Sequence, residues 1–162
     1  RYNEHNNNPK DPEYRKFLNR LMDPMLEKLS PGSNGLDFGS GPGPTLSIML
    51  EEGGFNMNIY DPIFHNDGSV LKKTYDFLTC TETVEHFCNP KVSWHLIFQL
   101  VRSGGFIGIM TQMYDGKIFS DWHYIRDHTH VEFYSKHTFR WLSRKYKAHL
   151  NLIGDSVALL QA

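Results

Sequence analysis

Apolar positions recur at two spacings along this 162-residue chain. Tyr14, Phe17, Leu18, Leu21, Met25 and Leu29 follow one another at the interval of a single helix face, and Asp11-Pro12 ahead of them supplies an N-cap and a first-turn proline. Pro24 interrupts that face and predicts a kink, or a restart at Asp23; Pro31-Gly32 ends it. Ser33 to Gly35 turn the chain into a first short strand at Leu36. Pro44 then opens a second helix through Leu46, Met49 and Leu50, stopped by Gly53-Gly54. Phe55 to Tyr60 and Tyr75 to Thr81 are apolar runs of strand length. Asn89-Pro90 starts a helix whose face is Trp94, Ile97, Leu100 and Val101, closed by Ser103-Gly104-Gly105. Phe106 to Thr111 is a fourth strand, followed by an irregular, aromatic-rich stretch from Gln112 to Tyr134. Ser135 caps a last helix through Phe139, Leu142 and Tyr146. The chain closes on a predicted hairpin, Ala148 to Ile153 and Ser156 to Leu160, joined by Gly154-Asp155 as a two-residue type II′ turn.

Strands alternating with helices predict an α/β fold with a mostly parallel sheet and ligands at the carboxyl ends of its strands. A tight antiparallel hairpin at the end of such a sheet is unusual for a dinucleotide-binding fold. No internal repeat is visible, and the one biased stretch, Asn6-Asn7-Asn8, is too short to carry meaning.

The length suits one domain that buries ~70% of the surface of its unfolded chain. Net charge −1 with nine histidines offers no basic field, which excludes extended nucleic-acid binding and favours a small-molecule substrate. Cys80 and Cys88 form no C-x-x-C pair, so neither a disulfide framework nor a closed zinc site is expected, and a cytoplasmic location fits. No apolar run reaches the ~20 residues of a membrane span, and no signal peptide is seen. The chain starts at Arg1 without a methionine and reads as a fragment; the oligomeric state is left open.

The candidate chemistry starts at Leu36-Asp37-Phe38-Gly39-Ser40-Gly41-Pro42-Gly43, a strand running into a glycine loop. Such a loop lets backbone N–H groups approach a ligand with no Cβ between. Asp61 ends the next strand, 22 residues beyond Gly39, where a carboxylate can accept ribose hydroxyls. The dinucleotide pattern G-x-G-x-x-G fails, because its third glycine falls on Pro44; the pattern here is G-x-G-x-G.

That loop, with Asp37 before it, resembles motif I of the class I S-adenosylmethionine (SAM) dependent methyltransferases. Tyr75 to His86 is similar to strand 4 of that family and the loop after it, in the form YDxxxxxExxEH, and Gly104-Gly105-Phe106 to the turn before strand 5. The tail, Trp122-His123-Tyr124, Asp127, Thr129-His130-Val131, Phe133-Tyr134-Ser135 and Thr138-Phe139, resembles a bacterial small-molecule subgroup labelled by analogy with ubiquinone-pathway methylases. The resemblance implies a Rossmann-like methyltransferase fold ending in an antiparallel hairpin. It divides the single domain into a helical cap over 1–33, a cofactor core over 34–111 and a substrate-side segment over 112–162. One departure is clear: only 13 residues lie between Asp61 and Tyr75, too few for the usual helix, strand and helix, so the family's third, edge strand is expected to be missing. Its adenine contacts do not carry over, which leaves Pro62, Ile63, Phe64 or another segment for that role.

What the resemblance implies for function is methyl transfer from SAM, with S-adenosylhomocysteine (SAH) as product, to an acceptor whose reacting atom is undetermined. Cofactor contacts are expected from Asp37, Gly39, Ser40, Gly41, Asp61, Pro62, Thr81 and Glu82; Glu85 reads equally as a first-turn helix residue. An acceptor that loses a proton needs a base, and His130, His123 and Tyr124 are the catalytic candidates. Asp121, His123, Asp127, His128 and His130 are ligand types without a tight metal signature, so no metal is expected. The nearby aromatic residues read as core or lid packing ahead of a cation cage. Tyr2 and His5 are either a lid or a frayed end. Two other classes stay open: a non-catalytic SAM-fold binding module, and a nicotinamide-dependent reductase, which Pro44 and the hairpin disfavour.

Overall fold

The computed structural model describes residues 8–162, and the expectations for Tyr2 and His5 lie outside the described residues. Helix α1, Pro12–Leu26, begins where Asp11 accepts hydrogen bonds from the N–H groups of Glu13 and Tyr14. It continues through Pro24 and stops two residues later, so the proline sits in the last turn and no second helix restarts at Asp23. Strand β1 (Asn34–Phe38), helix α2 (Thr45–Glu52), strand β2 (Asn56–Tyr60) and strand β3 (Tyr75–Thr81) follow. Helix α3 (Pro90–Leu100) takes its cap from Asn89. It ends one residue earlier than its apolar face suggested: Val101 opens strand β4 (Val101–Met110), which includes Ser103-Gly104-Gly105 as an irregular stretch. Opposite it, Tyr75 pairs with Val101 but Phe77 already pairs with Phe106. Helix α4 (Lys136–Tyr146) carries a capping box between Ser135 and Thr138 and leads into β5 (His149–Ile153) and β6 (Val157–Gln161).

The strands form one sheet in the order β2-β1-β3-β4-β6-β5. The first four run parallel, and β6 is antiparallel to both β4 and β5. The closing hairpin therefore inserts its second strand between β4 and β5. Its loop holds three residues, Gly154 to Ser156, since Ile153 pairs with Val157; the two-residue turn expected from sequence is replaced because Asp155 O and Ser156 O accept from Met113 and Thr111 N–H groups instead of continuing the ladder.

Residues 62–74 form no regular strand. Asp61 and His65 make one isolated bridge, Val70–Lys72 one short helical turn, and β2 stands at the sheet edge. The short spacing thus has the predicted consequence, a sheet without the usual third strand.

Alternation along the strands feeds two cores. Phe77, Met110, Val157 and Leu159 face α1 and α2, meeting Leu18, Leu21, Met25, Leu46 and Leu50. Leu78, Cys80, Ile107, Ile109, Ala158 and Leu160 face α3 and α4, meeting Trp94, Ile97, Phe139 and Leu142. With α1 and α2 on one face and α3 and α4 on the other, the carboxyl ends of β1, β2 and β3 stay clear for the loops that follow them.

Candidate functional site

Those three strand ends border a cavity of about 820 Å³. Its walls come from α1 (Tyr14, Phe17), the glycine loop (Gly39, Gly41, Pro42), the end of β2 and the residues after it (Tyr60 to Phe64), the loop after β3 (Thr81 to Thr83, Glu85, His86) and a distant segment carrying Asp127, Thr129 and His130. The volume lies within the range of cofactor and small-ligand sites.

The glycine loop is held by its neighbours. Gly39 N–H donates to Tyr60 O at 2.7 Å, and Gly39 and Gly41 take φ values of +80° and +65°, which L side chains rarely adopt. A Cβ on Gly39 would also meet the Thr83 side chain at 2.1 Å. Asp61 ties the same loop to the sheet edge. Its Oδ2 accepts from Gly41 N–H at 3.0 Å, and its Oδ1 from Ile63 and Phe64 N–H at 2.8 and 3.0 Å. A carboxylate offers about four lone-pair directions, so these three bonds leave one, on Oδ2.

Asp37 and Ser40 do not line the cavity. Asp37 is buried behind the loop, where Oδ1 accepts from the Thr79 hydroxyl at 2.9 Å. Burial pushes its carboxyl up to about 7, against the lowering effect of the Thr79 bond and with a further rise from Asp61. Tyr14 is likewise pushed up to about 12 by burial and then by the charges of Asp37 and Glu82. Among the described residues, Ser40 Oγ in the glycine loop and Thr81 Oγ1 at the end of β3 on the cavity wall are buried polar atoms without a hydrogen-bond partner. Pro62 and Glu82 line the cavity.

Beyond Thr81 the chain turns back sharply: Glu82 has φ +47° and its N–H donates to Met110 O at 2.8 Å. Glu85 lies in the first turn of the short helix Val84–His86 before α3, as one reading of the sequence has it, and is fully buried there. Its carboxylate accepts from the Thr111 hydroxyl at 3.0 Å and from the Tyr124 phenol, which also bonds Glu82 at 3.2 Å. Burial and the nearby Glu85 push the Glu82 carboxyl upward. The same burial, with both glutamates, raises the Tyr124 hydroxyl far above its ordinary value, so this phenol serves as a donor and not as a base.

Of the three catalytic candidates, His130 alone lines the cavity. Its Nδ1 lies 2.7 Å from Tyr124 O, and its ring packs 4.1 Å from the Tyr124 ring. His123 is exposed and outside the lining, as are Asp121 and His128; the five-residue ligand set considered from sequence is not brought together. In its place Glu85, His86 and His130 converge, a grouping that no local spacing reveals because 44 residues separate His86 from His130. The ExxEH pattern was its only sequence trace. Trp122 and Phe133 pack in tilted and edge-on contacts with Tyr114 and Phe119, a cluster that backs Tyr124 through Trp122 at 5.2 Å, and Tyr134 packs in the core against Trp94; none of Trp122, Phe133 and Tyr134 lines the cavity.

A profile of the methyltransferase-domain family matches residues 8–147. A comparison with curated proteins by sequence gives no match. Among solved structures, a SAM-dependent methyltransferase from Archaeoglobus fulgidus superimposes with a TM-score of 0.67 at 15% identity, covering 91% of this chain and 94% of that one. A chain from the complex between the Haloferax volcanii Trm112 methyltransferase activator and a methyltransferase gives 0.63 at 10% identity, over 94% and 93%. CalO1, a methyltransferase in calicheamicin biosynthesis in its SAH-bound form, gives 0.65 at 12%; this chain spans 54% of its length. The six-stranded sheet with its antiparallel end belongs to the same Rossmann-like fold. Among the described residues no helix is long and apolar enough to cross a membrane. The chain belongs to the methyltransferase-domain family, and its fold is that of the SAM-dependent methyltransferases it superimposes on.

Proposed function

We propose that this methyltransferase acts on a small or medium-sized acceptor, with SAM held at the Asp61 end of the cavity and the acceptor at the His130 end. The observation that carries the reading is that one cavity joins the glycine loop and Asp61 to Glu85, His86 and His130. The residues present suit the cofactor: a loop with two positive-φ glycines, an acidic group with one lone pair left, and two hydroxyls, Ser40 and Thr81, without a partner among the described residues. Ile63 and Phe64, on the short segment that replaces the edge strand, offer apolar surface for adenine. Bound SAM supplies a methyl group made electrophilic by its positive sulfur.

The protein's own contribution is chiefly positioning, since an in-line transfer at such a carbon is accelerated most by holding nucleophile and methyl at ~3 to 3.5 Å. The cavity is walled by α1 and by the 127–130 segment, which limits water near that point. Because Nδ1 of His130 is engaged by Tyr124 O, Nε2, which lies 3.9 Å from the Asp127 carboxylate, is the atom left toward the acceptor end. We further assign the chain to the small-molecule subgroup that residues 122–139 resemble, and to the cytoplasm on its two unpaired cysteines. The test is incubation of the protein with cell extract and SAM carrying an isotopic methyl group, followed by mass spectrometry. Label in a low-mass product is expected; label confined to protein or nucleic acid overturns the reading.

A further inference from the structure

The closing hairpin leaves one edge of the sheet bare. β5 ends the order β2-β1-β3-β4-β6-β5, so alternate residues of His149–Ile153 turn N–H and C=O groups away from β6. Among the described residues no backbone group pairs with that outer side. The devices that commonly protect an edge are missing from it: His149–Ile153 contains no proline, lysine or glutamate, and its register with β6 runs through five pairs without a bulge. β2, at the other edge, has the Val70–Lys72 turn packed against it and Lys73 Nζ at 3.3 Å from Asn58 Oδ1.

Beside the bare edge lies a shallow cleft of about 440 Å³, separate from the cofactor cavity, between α4 (Arg140, Ser143, Arg144) and β5 (His149, Leu150, Leu152). Lys147, at φ +55°, reverses the chain there. Ala148 N–H donates to Ser143 O at 2.9 Å and the Ser143 hydroxyl to Ala148 O at 2.7 Å, so the strand runs back alongside the helix. The cleft is basic. From Phe133 to Gly154 the chain carries five lysines and arginines and no aspartate or glutamate, against a net charge of −1 for the whole. Arg140 and Arg144 are exposed, and among the described residues neither forms an ion pair. Lys145 lies over the Trp141 ring, 4.7 Å from its centroid.

We propose that the β5 edge and this cleft dock an extended acidic segment of a partner protein, which adds to the sheet as a further strand and sets its carboxylates against Arg140 and Arg144. The spacing matches: four residues of helix rise about 6 Å, and side chains i and i+2 on one face of a strand stand about 6.7 Å apart. Acidic residues at every second position of the added strand therefore meet both guanidiniums, each of which can take a carboxylate in a two-pronged contact. Strand addition of this kind draws affinity from main-chain hydrogen bonds and selectivity from alternate side chains. A second copy of this chain fits less well, because edge-to-edge pairing brings two sets of unpaired arginines together. A phosphate backbone also fits less well: its oxygens only accept, whereas the edge presents carbonyl oxygens between its N–H groups.

The test uses the full chain and a capped nine-residue peptide of alternating glutamate and threonine, titrated by calorimetry and followed by amide NMR. One peptide per chain is expected, with shifts and slowed amide exchange confined to β5 and α4. Arg140→Gln combined with Arg144→Gln should weaken binding at least tenfold, and a peptide with lysine in place of glutamate should not bind. A peptide N-methylated at two adjacent central residues, one of which must face β5, keeps its charge and needs no variant to fold; it should also bind at least tenfold more weakly. Absence of binding, equal affinity for the N-methylated peptide, or shifts outside β5 and α4 each overturns the proposal. A twelve-nucleotide oligothymidylate that binds this face when the peptide does not assigns it to nucleic acid, and a dimer in sedimentation whose β5 amides are protected without peptide assigns it to a second copy; either result overturns the proposal too.

Discussion

The Asp61 carboxylate accepts a hydrogen bond from the Gly41 N–H at 3.0 Å, so the end of β2 and the glycine loop are joined by the side chain that is also proposed to hold the ribose. With Oδ1 already taken by Ile63 and Phe64, a single lone pair on Oδ2 remains for a hydroxyl. Ribose binding through both hydroxyls, the arrangement expected from sequence, has no room here unless the 61–64 turn opens.

Asp61→Ala removes the loop tie and the ribose acceptor together, and charge-assisted bonds contribute ~1.5 to 3 kcal/mol each, so SAM affinity should fall at least tenfold. Deoxy analogues sharpen the prediction. Deleting one ribose hydroxyl of SAH should weaken binding severalfold and deleting the other should change it little, by calorimetry; equal losses would show that Asp61 grips both.

Gly41 has φ +65°, and a branched side chain there forces the loop out of the geometry in which its N–H reaches Asp61. Gly41→Val should therefore lower SAM affinity at least tenfold. Wild-type affinity in that variant, measured on folded protein, contradicts the proposed role of the loop.

His130 stands at the acceptor end, away from the Asp61 turn. His130→Ala should leave SAM affinity, measured without acceptor, within about threefold, while turnover at saturating SAM falls by ~10² or more. A loss of cofactor affinity instead would move His130 to the SAM side.

Asp37 links pH to stability. Its carboxyl is raised from 3.8 to about 7 in the fold, so between these values the native state holds a proton that the unfolded chain releases. Its contribution is present in full below about 4 and is lost as pH rises toward 7, by at most ~1.4 kcal/mol per pH unit, then levels off. Asp37→Asn, which keeps an oxygen for the Thr79 hydroxyl, should flatten that part of the profile relative to the wild type in urea unfolding at pH 4.5, 6 and 7.5. Parallel profiles for the two proteins would refute the link.

Much of the architecture is written locally, and so the sequence alone determined it. Asp11-Pro12, Asn89-Pro90 and the Ser135/Thr138 box mark helix starts because capping is satisfied within three residues, and alternation marks the strands because successive side chains take opposite faces. The glycine loop, Asp61 at its register and the 13-residue gap that removes the edge strand were legible for the same reason: each is a matter of spacing along one stretch of chain. Tertiary structure alone decided where the charges go. Asp37 turned inward to Thr79, 42 residues away; Glu85 was buried beneath Tyr124; the His86 and His130 rings came into contact, centroids 4.9 Å apart; and His123, beside Tyr124 in sequence, was left outside. Burial and the dielectric around a carboxylate or imidazole depend on elements packed from distant parts of the chain, and no local pattern encodes them.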